Sequence, residues 1–344
     1  MLIPSETSLF SLDPLMENPM EDAGPTPRSR TPQPARGACP CARASFTPSH
    51  AIDMPFPSES PPAPSALSAE ELHRLREKAR LIRLETIRLI EIAKVGHYSS
   101  VFSAAELFAS LYYDVMDIRA NEPRWPDRDR FLMGKGHAAV GLFPILAEYG
   151  YIDRATLDGY TRLGNPLGDH PDMRKVPGID FSSGSIGHAL SAGAGMAFGG
   201  RIAKRGFDTF VMLGDGEMQE GQVWEAAMFA AHYRLSKLIA IVDRNGFQLD
   251  GRVDDVIGIE GLADKWRAFG WETHEVDGHD LSALTQLLRR LKQDARRERP
   301  ACVIAHTVKG KGVSYMETEP GWHLGYLSPD DAARAIEEIM QTEI

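Results

Sequence analysis

DTFVMLGDGEMQEGQVWEAAMFAAHYRLSKLIAIVDRNG, residues 208–246, is the stretch that decides the fold. DTFVMLGDG is an apolar run closed by a glycine turn and reads as a buried strand. EGQVWEAAMFAAHYRL reads as a helix, and KLIAIVDRNG as a second buried strand. Together they form a βαβ unit, whose strands are expected to run parallel with a right-handed crossover. WETHEVDGHD, the helix LSALTQLLRRLKQDARRE and the strand ACVIAHTV extend the alternation. Upstream, SAEELHRLREKARLIRLETIRLIEIAK starts with Ser68 and, three residues on, Glu71, a capping box that opens a long helix. SAAELFASLYYDVM repeats the device with Ser103 and Glu106 and predicts a second helix. The fold class is therefore α/β, an open, mostly parallel sheet with helices on both faces.

The chain has 344 residues, long enough for one large or two modest domains. Its 48 acidic and 38 basic side chains leave a net charge of −10, which argues against a nucleic-acid partner, since phosphate contacts want a basic face. No window approaches the roughly 18–20 apolar residues of a membrane span, and no basic-then-apolar leader opens the chain. The expectation is a soluble, cytoplasmic protein. Three cysteines, Cys39, Cys41 and Cys302, do not make a disulfide framework and fit a reducing compartment. The spacing of Cys39 and Cys41 is too tight for half of a structural zinc site. Residues 1–66 form a Pro-rich extension expected to be disordered, because 14 of the 23 prolines fall there without any sustained apolar period. The folded domain is placed over 67–344.

In an open parallel sheet, ligands bind outside the carboxyl ends of the strands. Asp215 follows one strand and Asn245 the next, so both project from one edge into one crevice. An aspartate carboxylate, an asparagine amide oxygen and a backbone carbonyl make a hard-oxygen set suited to Mg²⁺ or Ca²⁺. Gly214 and Gly216 let main-chain N–H groups approach a diphosphate. The same glycines serve equally as plain turn formers, and Asn245-Gly246 as an ordinary turn. SAGAGMAFGG does not follow a strand as a dinucleotide loop must, and no GxxxxGK[ST] loop occurs, which argues against an ordinary ATPase.

GDGEMQEG followed by DRNG resembles the thiamine diphosphate signature, and the surrounding sequence is similar to the N-terminal part of transketolases. KVGHYSSVFSAAELFASLYY, DRDRFLMGKGHAAVGLFPILAEYGY, GDHPDMRKVPGIDFSSGSIGHALSAGAGMA and HTVKGKGVSYMETEPGWHLG support the likeness in the family's order, over about 68–327. The resemblance implies a thiamine diphosphate-binding domain of the diphosphate (PP) type over 67–344. It implies that Asp215, Asn245 and the carbonyl of Phe247 hold the metal, with Gly214, Gly216 and Glu217 in the cofactor-binding turn. His137 corresponds to a diphosphate contact, and Gly184, Ser185, Ile186 and Gly187 to the segment against the cofactor's rings. His97 and His170 correspond to histidines near the substrate hydroxyls, and His323 to one that reaches both the diphosphate and the reacting centre. Glu220 and Glu225 match acids that relatives place at a subunit interface. Lys309 and Lys311 add positive potential or sit in an exposed turn.

Imidazoles suit this chemistry, because sugar hydroxyl protons must move near neutral pH. The family's reaction transfers a two-carbon ketol unit from a ketose or its phosphate to an aldose. It uses a glutamate on a second, pyrimidine-binding domain, which residues 1–344 are not expected to supply. The expectation is a split transketolase, in which this chain pairs with a separate C-terminal subunit in an α₂β₂ assembly. Two positions depart from the family. Trp322-His323-Leu324-Gly325 stands where Trp-His-Gly is usual, and Tyr98 is bulkier than expected beside His97. The competing readings are the α subunit of a 2-oxo acid dehydrogenase, which lacks the HPD, SGSIGH and GWH contexts, and a cofactor-binding scaffold without catalysis.

Overall fold

The structure, a computed structural model, describes residues 66–249 and 251–342. The readings made of the N-terminal extension and of Cys39 and Cys41 lie outside the described residues. Helix α1 (Ala69–Ala93) opens on the expected capping box. Ser68 Oγ accepts from the Glu71 N–H at 3.1 Å, and the Ser68 N–H donates to Glu71 Oε2 at 2.7 Å. Leu75, Ala79, Ile82 and Ile90 form its buried stripe.

The second capping box does not form. The expected helix is present as α3 (Ala105–Ser110), continued by a π-helical turn over Leu111–Val115, but it starts past Ser103, which sits in the turn after a short preceding helix, α2 (Tyr98–Phe102). Ser103 Oγ instead donates to Asp243 Oδ2 at 2.7 Å, and Glu106 is fully buried against Arg83 with bonds of 2.7 and 2.9 Å. A bidentate guanidinium–carboxylate pair is stronger than a carboxylate bond to a single backbone N–H, so tertiary partners override the local cap.

The chain continues through β1 (Arg130–Met133), α4 (Ala139–Glu148), α5 (His188–Ile202), β2 (Thr209–Gly214), α6 (Gly221–His232) and β3 (Leu238–Arg244). A short antiparallel pair, β4 (Phe247–Gln248) and β5 (Gly251–Arg252), precedes α7 (Val253–Val256) and α8 (Leu262–Ala268). Then come β6 (Glu272–Asp277), α9 (Leu281–Gln293), β7 (Ala301–His306) and α10 (Pro329–Gln341). The main sheet runs β1-β2-β3-β7-β6 with every neighbouring pair parallel. The expected βαβ unit is present as β2, α6 and β3. Strand β1 is an addition that the sequence reading did not contain.

Alternate residues of the central strands feed two cores, as the period-two geometry of a strand requires. Phe210, Met212, Ile239, Ile241 and Val303 pack toward α1, α3 and α9. Val211, Leu213, Ala240, Val242 and Ile304 pack toward α5, α6 and α8. Strands buried on both faces explain the unbroken apolar runs. Because all five strands point the same way, their carboxyl ends deliver Gly134, Asp215, Asn245, Thr307 and Gly278 to one edge. Among the described residues, no helix is long and apolar enough to cross a membrane.

Candidate active site

That edge carries a cavity of about 470 Å³. The loops after β1, β2 and β3 contribute Lys135 and His137, residues 214–217, and Asn245 with residues 247–249. His97 and Ser100, His170, Gly184, Ser185 and Ile186, Lys309 and His323 complete the wall. Every residue expected to touch cofactor or substrate lines it, Gly187 excepted. Gly187 sits just behind as the N-cap of α5 at φ 87°, and its N–H donates to Glu217 Oε1 at 2.7 Å. That left-handed backbone suits glycine, and a Cβ there would lie 2.8 Å from the Glu220 Cβ. Glu220 and Glu225 are both exposed, at the start of α6.

Three imidazoles meet in the cavity although their residues are as much as 226 positions apart (323 − 97). Ring centroids lie 5.0 Å apart for His97 and His137, 5.2 Å for His97 and His323, and 5.3 Å for His137 and His323. An isolated antiparallel bridge makes this possible: Gly96 and Gly325 exchange two backbone bonds of 3.0 Å, which sets the segments carrying His97 and His323 side by side. His137 Nε2 is 3.1 Å from Ser100 Oγ. Burial holds the His137 imidazole well below its usual pKa, and the Lys135 cation and the neighbouring histidines push the same way. His137 is therefore neutral near pH 7. His170 is more open, with Nδ1 3.3 Å from Asp169 Oδ2.

Asp215 is 2% exposed. Its Oδ1 accepts from the Gly216 N–H at 2.9 Å and its Oδ2 from the Gly246 N–H at 2.6 Å, so the acid touches the turn that carries Asn245 and Phe247. Burial pushes its pKa up to about 7, with the Asp243 charge adding to the effect and the two N–H donors opposing it. Glu217 is likewise raised to about 7 by burial, against N–H donation from Gly187 and Gly214. A buried carboxylate this reluctant to ionise is what a divalent cation would relieve. Among the described residues no group of three or more His, Cys, Asp or Glu is arranged around a metal. The set expected from the sequence is of another kind, one carboxylate, one amide oxygen and one main-chain carbonyl, and all three residues line the cavity. Gly216 is a position of close approach: a Cβ there would come within 2.6 Å of the Gln248 Cβ.

The sequence reading missed the support beneath these residues. Asp243, fully buried at the end of β3, contacts Lys135 Nζ and Thr307 Oγ1 and accepts from Ser103 Oγ. Asn245 Nδ2 lies 3.4 Å from Ser103 Oγ and 3.5 Å from Asp243 Oδ2, which orients the amide. Lys135 stands in GKGH two residues before His137, and reading FLM as a strand would have exposed it. Lys309 is 2% exposed, not in an exposed turn; its Nζ donates to the Leu249 carbonyl at 2.9 Å. Lys311 is partly exposed beside Glu317. Tyr98 is fully buried in the core, with its hydroxyl 3.3 Å from the Leu327 N–H, so it does not enter the cavity. Leu324 is half exposed beyond His323.

Residues 75–340 match the family model described as transketolase, thiamine diphosphate binding domain. The chain belongs to the transketolase family. Among curated relatives of this family, it is 38% identical over 257 residues to an apulose-4-phosphate transketolase subunit of Phocaeicola vulgatus, covering 74% of this chain and 90% of that one. It is 37% identical to 6-deoxy-6-sulfo-D-fructose transketolase subunit SqwG of a Clostridium species, covering 79% and 98%. A solved transketolase variant from Pichia stipitis superposes with a TM-score of 0.73 at 26% identity, covering 78% of this chain. Transketolase from Leishmania mexicana gives 0.72 at 27%, covering 77%. The chain spans about 41% of the length of each of these two transketolase structures. Transketolase membership sets aside the dehydrogenase α-subunit reading.

Proposed function

We propose that this chain is the diphosphate-binding subunit of a split transketolase, active with a separate C-terminal subunit in an α₂β₂ assembly. The observation that carries the proposal is the gathering of Asp215, Asn245, Phe247 and three imidazoles around one cavity at the carboxyl edge of the sheet. The likeness to relatives named as transketolase subunits supports the split.

In this reading Asp215, Asn245 and the Phe247 carbonyl hold Mg²⁺, which removes the penalty on the buried Asp215 charge. Residues 214–216 and His137 hold the diphosphate, with neutral His137 giving one N–H and keeping one acceptor nitrogen. Residues 184–186 form the wall against the cofactor's rings. When bound, thiamine diphosphate supplies the carbon nucleophile and electron sink needed to cleave the bond beside a ketose carbonyl. His97, His170 and His323 then orient the sugar hydroxyls of a ketose or ketose phosphate and exchange protons with them. The cavity volume falls in the usual range for a small-molecule site.

Coexpression with a candidate C-terminal subunit, followed by a ketol-transfer assay with Mg²⁺ and thiamine diphosphate, tests the proposal. Transfer from a ketose phosphate to an aldose is expected only when both chains are present. Robust turnover by this chain alone would overturn the split, and a reconstituted complex that binds cofactor but turns over no ketose would favour the non-catalytic scaffold.

A further inference from the structure

The loop Val308–Lys311, after β7, is gripped from behind at three points. The Val308 N–H donates to His279 Nε2 at 2.9 Å, the Gly310 N–H to the Ser99 carbonyl at 3.2 Å, and Arg83 Nε donates to the Lys311 carbonyl at 3.0 Å. Two of these grips belong to one hydrogen-bonded chain of side chains. Glu106 Oε2 is 2.9 Å from His279 Nδ1, and both Glu106 oxygens bind the Arg83 guanidinium. Glu106 and Arg83 are fully buried. The bonds assign the tautomer of His279: Nδ1–H donates to the carboxylate, so Nε2 is left as an acceptor for the Val308 N–H.

What the grip delivers is Lys309. Its side chain is turned inward, lies 5.5 Å over the Phe247 ring and donates to the Leu249 carbonyl. Phe247 and Leu249 belong to the same loop as Asn245, so Lys309 braces the turn that presents the amide and carbonyl oxygens. His279 itself does not line the cavity.

We infer that His279, held by Glu106 and Arg83, is a positioning residue: by fixing the Val308 N–H it sets Lys309 against the Asn245–Leu249 loop and so sets the affinity for the metal-bound diphosphate. This rests on the proposed cofactor site. The imidazole offers two separable contacts. Asparagine reproduces the Nδ1 donor toward Glu106 without the reach to Val308, whereas glutamine places an acceptor near the Nε2 position.

The test titrates thiamine diphosphate at saturating Mg²⁺ into the complex reconstituted with the C-terminal subunit, carrying this chain as wild type or as His279→Ala, His279→Gln or His279→Asn, with the melting temperature of each cofactor-free variant chain as control. Dissociation constants at least tenfold above wild type are expected for the alanine and asparagine variants. The glutamine variant should bind within about threefold of wild type. The asparagine variant should keep the wild-type melting temperature better than the glutamine variant does. Equal affinities for the glutamine and asparagine variants, or loss of affinity that only follows melting temperature, would overturn the inference. A wild-type complex that binds no thiamine diphosphate removes the parent reading and this inference together.

Discussion

Glu106 and Asp215 are both buried carboxyl groups near the carboxyl edge of one sheet, and their surroundings drive them in opposite directions. Burial raises the pKa of each. For Glu106 the Arg83 guanidinium and His279 outweigh burial and hold the group down at about 2. Asp215 receives two backbone N–H bonds, and its pKa stays near 7. A charge already matched within the fold stabilises the scaffold, whereas a charge left to backbone donors is available to an ion from outside. The contrast sets an acid matched inside the fold apart from one left to backbone donors, without reference to any relative.

The largest effect is expected at the matched pair. Glu106→Ala leaves the Arg83 guanidinium buried without its carboxylate, which costs roughly 3–5 kcal/mol, to be read as a lower urea midpoint at unchanged m-value. A loss below 1 kcal/mol would remove the contrast with Asp215.

The next is a pH dependence, measured without metal or cofactor. Asp215 has its folded pKa raised from 3.8 to about 7, so its contribution to stability is present below about pH 4 and is lost as the pH rises toward 7. Asp215→Asn lacks this loss. Between pH 5 and pH 8 the stability difference should therefore move in the variant's favour by about 2–4 kcal/mol. Mg²⁺ with thiamine diphosphate should reverse the order at pH 8, stabilising wild type only. A difference that does not change with pH would show that the Asp215 charge is already compensated.

The smallest is at Tyr98. Tyr98→Phe should cost about 1 kcal/mol for one lost hydrogen bond and leave the KM for the sugar in the reconstituted enzyme unchanged. A change in KM with intact stability would put this side chain back at the sugar pocket.

Much of the site was legible, because position along a parallel sheet is written in local pattern. Apolar runs ending in GDG and DRNG mark strand ends, and strand ends mark the ligand edge. Strand β1 was not legible. RFLM is four residues long, and its identity depends on pairing with β2 from Arg130 opposite Thr209 to Met133 opposite Met212. With β1 unseen, Lys135 had no strand end to sit on, and its partner Asp243 read as one more residue of the second strand. Ser103 and Glu106 show the opposite failure. Their spacing is a sound local signal, and it lost to partners 140 and 23 residues away.

From the chain alone come the α/β class, the capping box that starts α1, the placing of Asp215 and Asn245 at successive strand ends, and the transketolase likeness. All of these rest on interactions between near neighbours or on the two-residue and 3.6-residue periods of the backbone. Tertiary structure alone decided that Lys135 neutralises Asp243, that Glu106 locks Arg83 and His279, that Tyr98 turns into the core, and that His97, His137 and His323 share one cavity. Each of those outcomes is a competition among distant partners in a low-dielectric interior, where the best-placed counter-charge wins and sequence separation carries no weight.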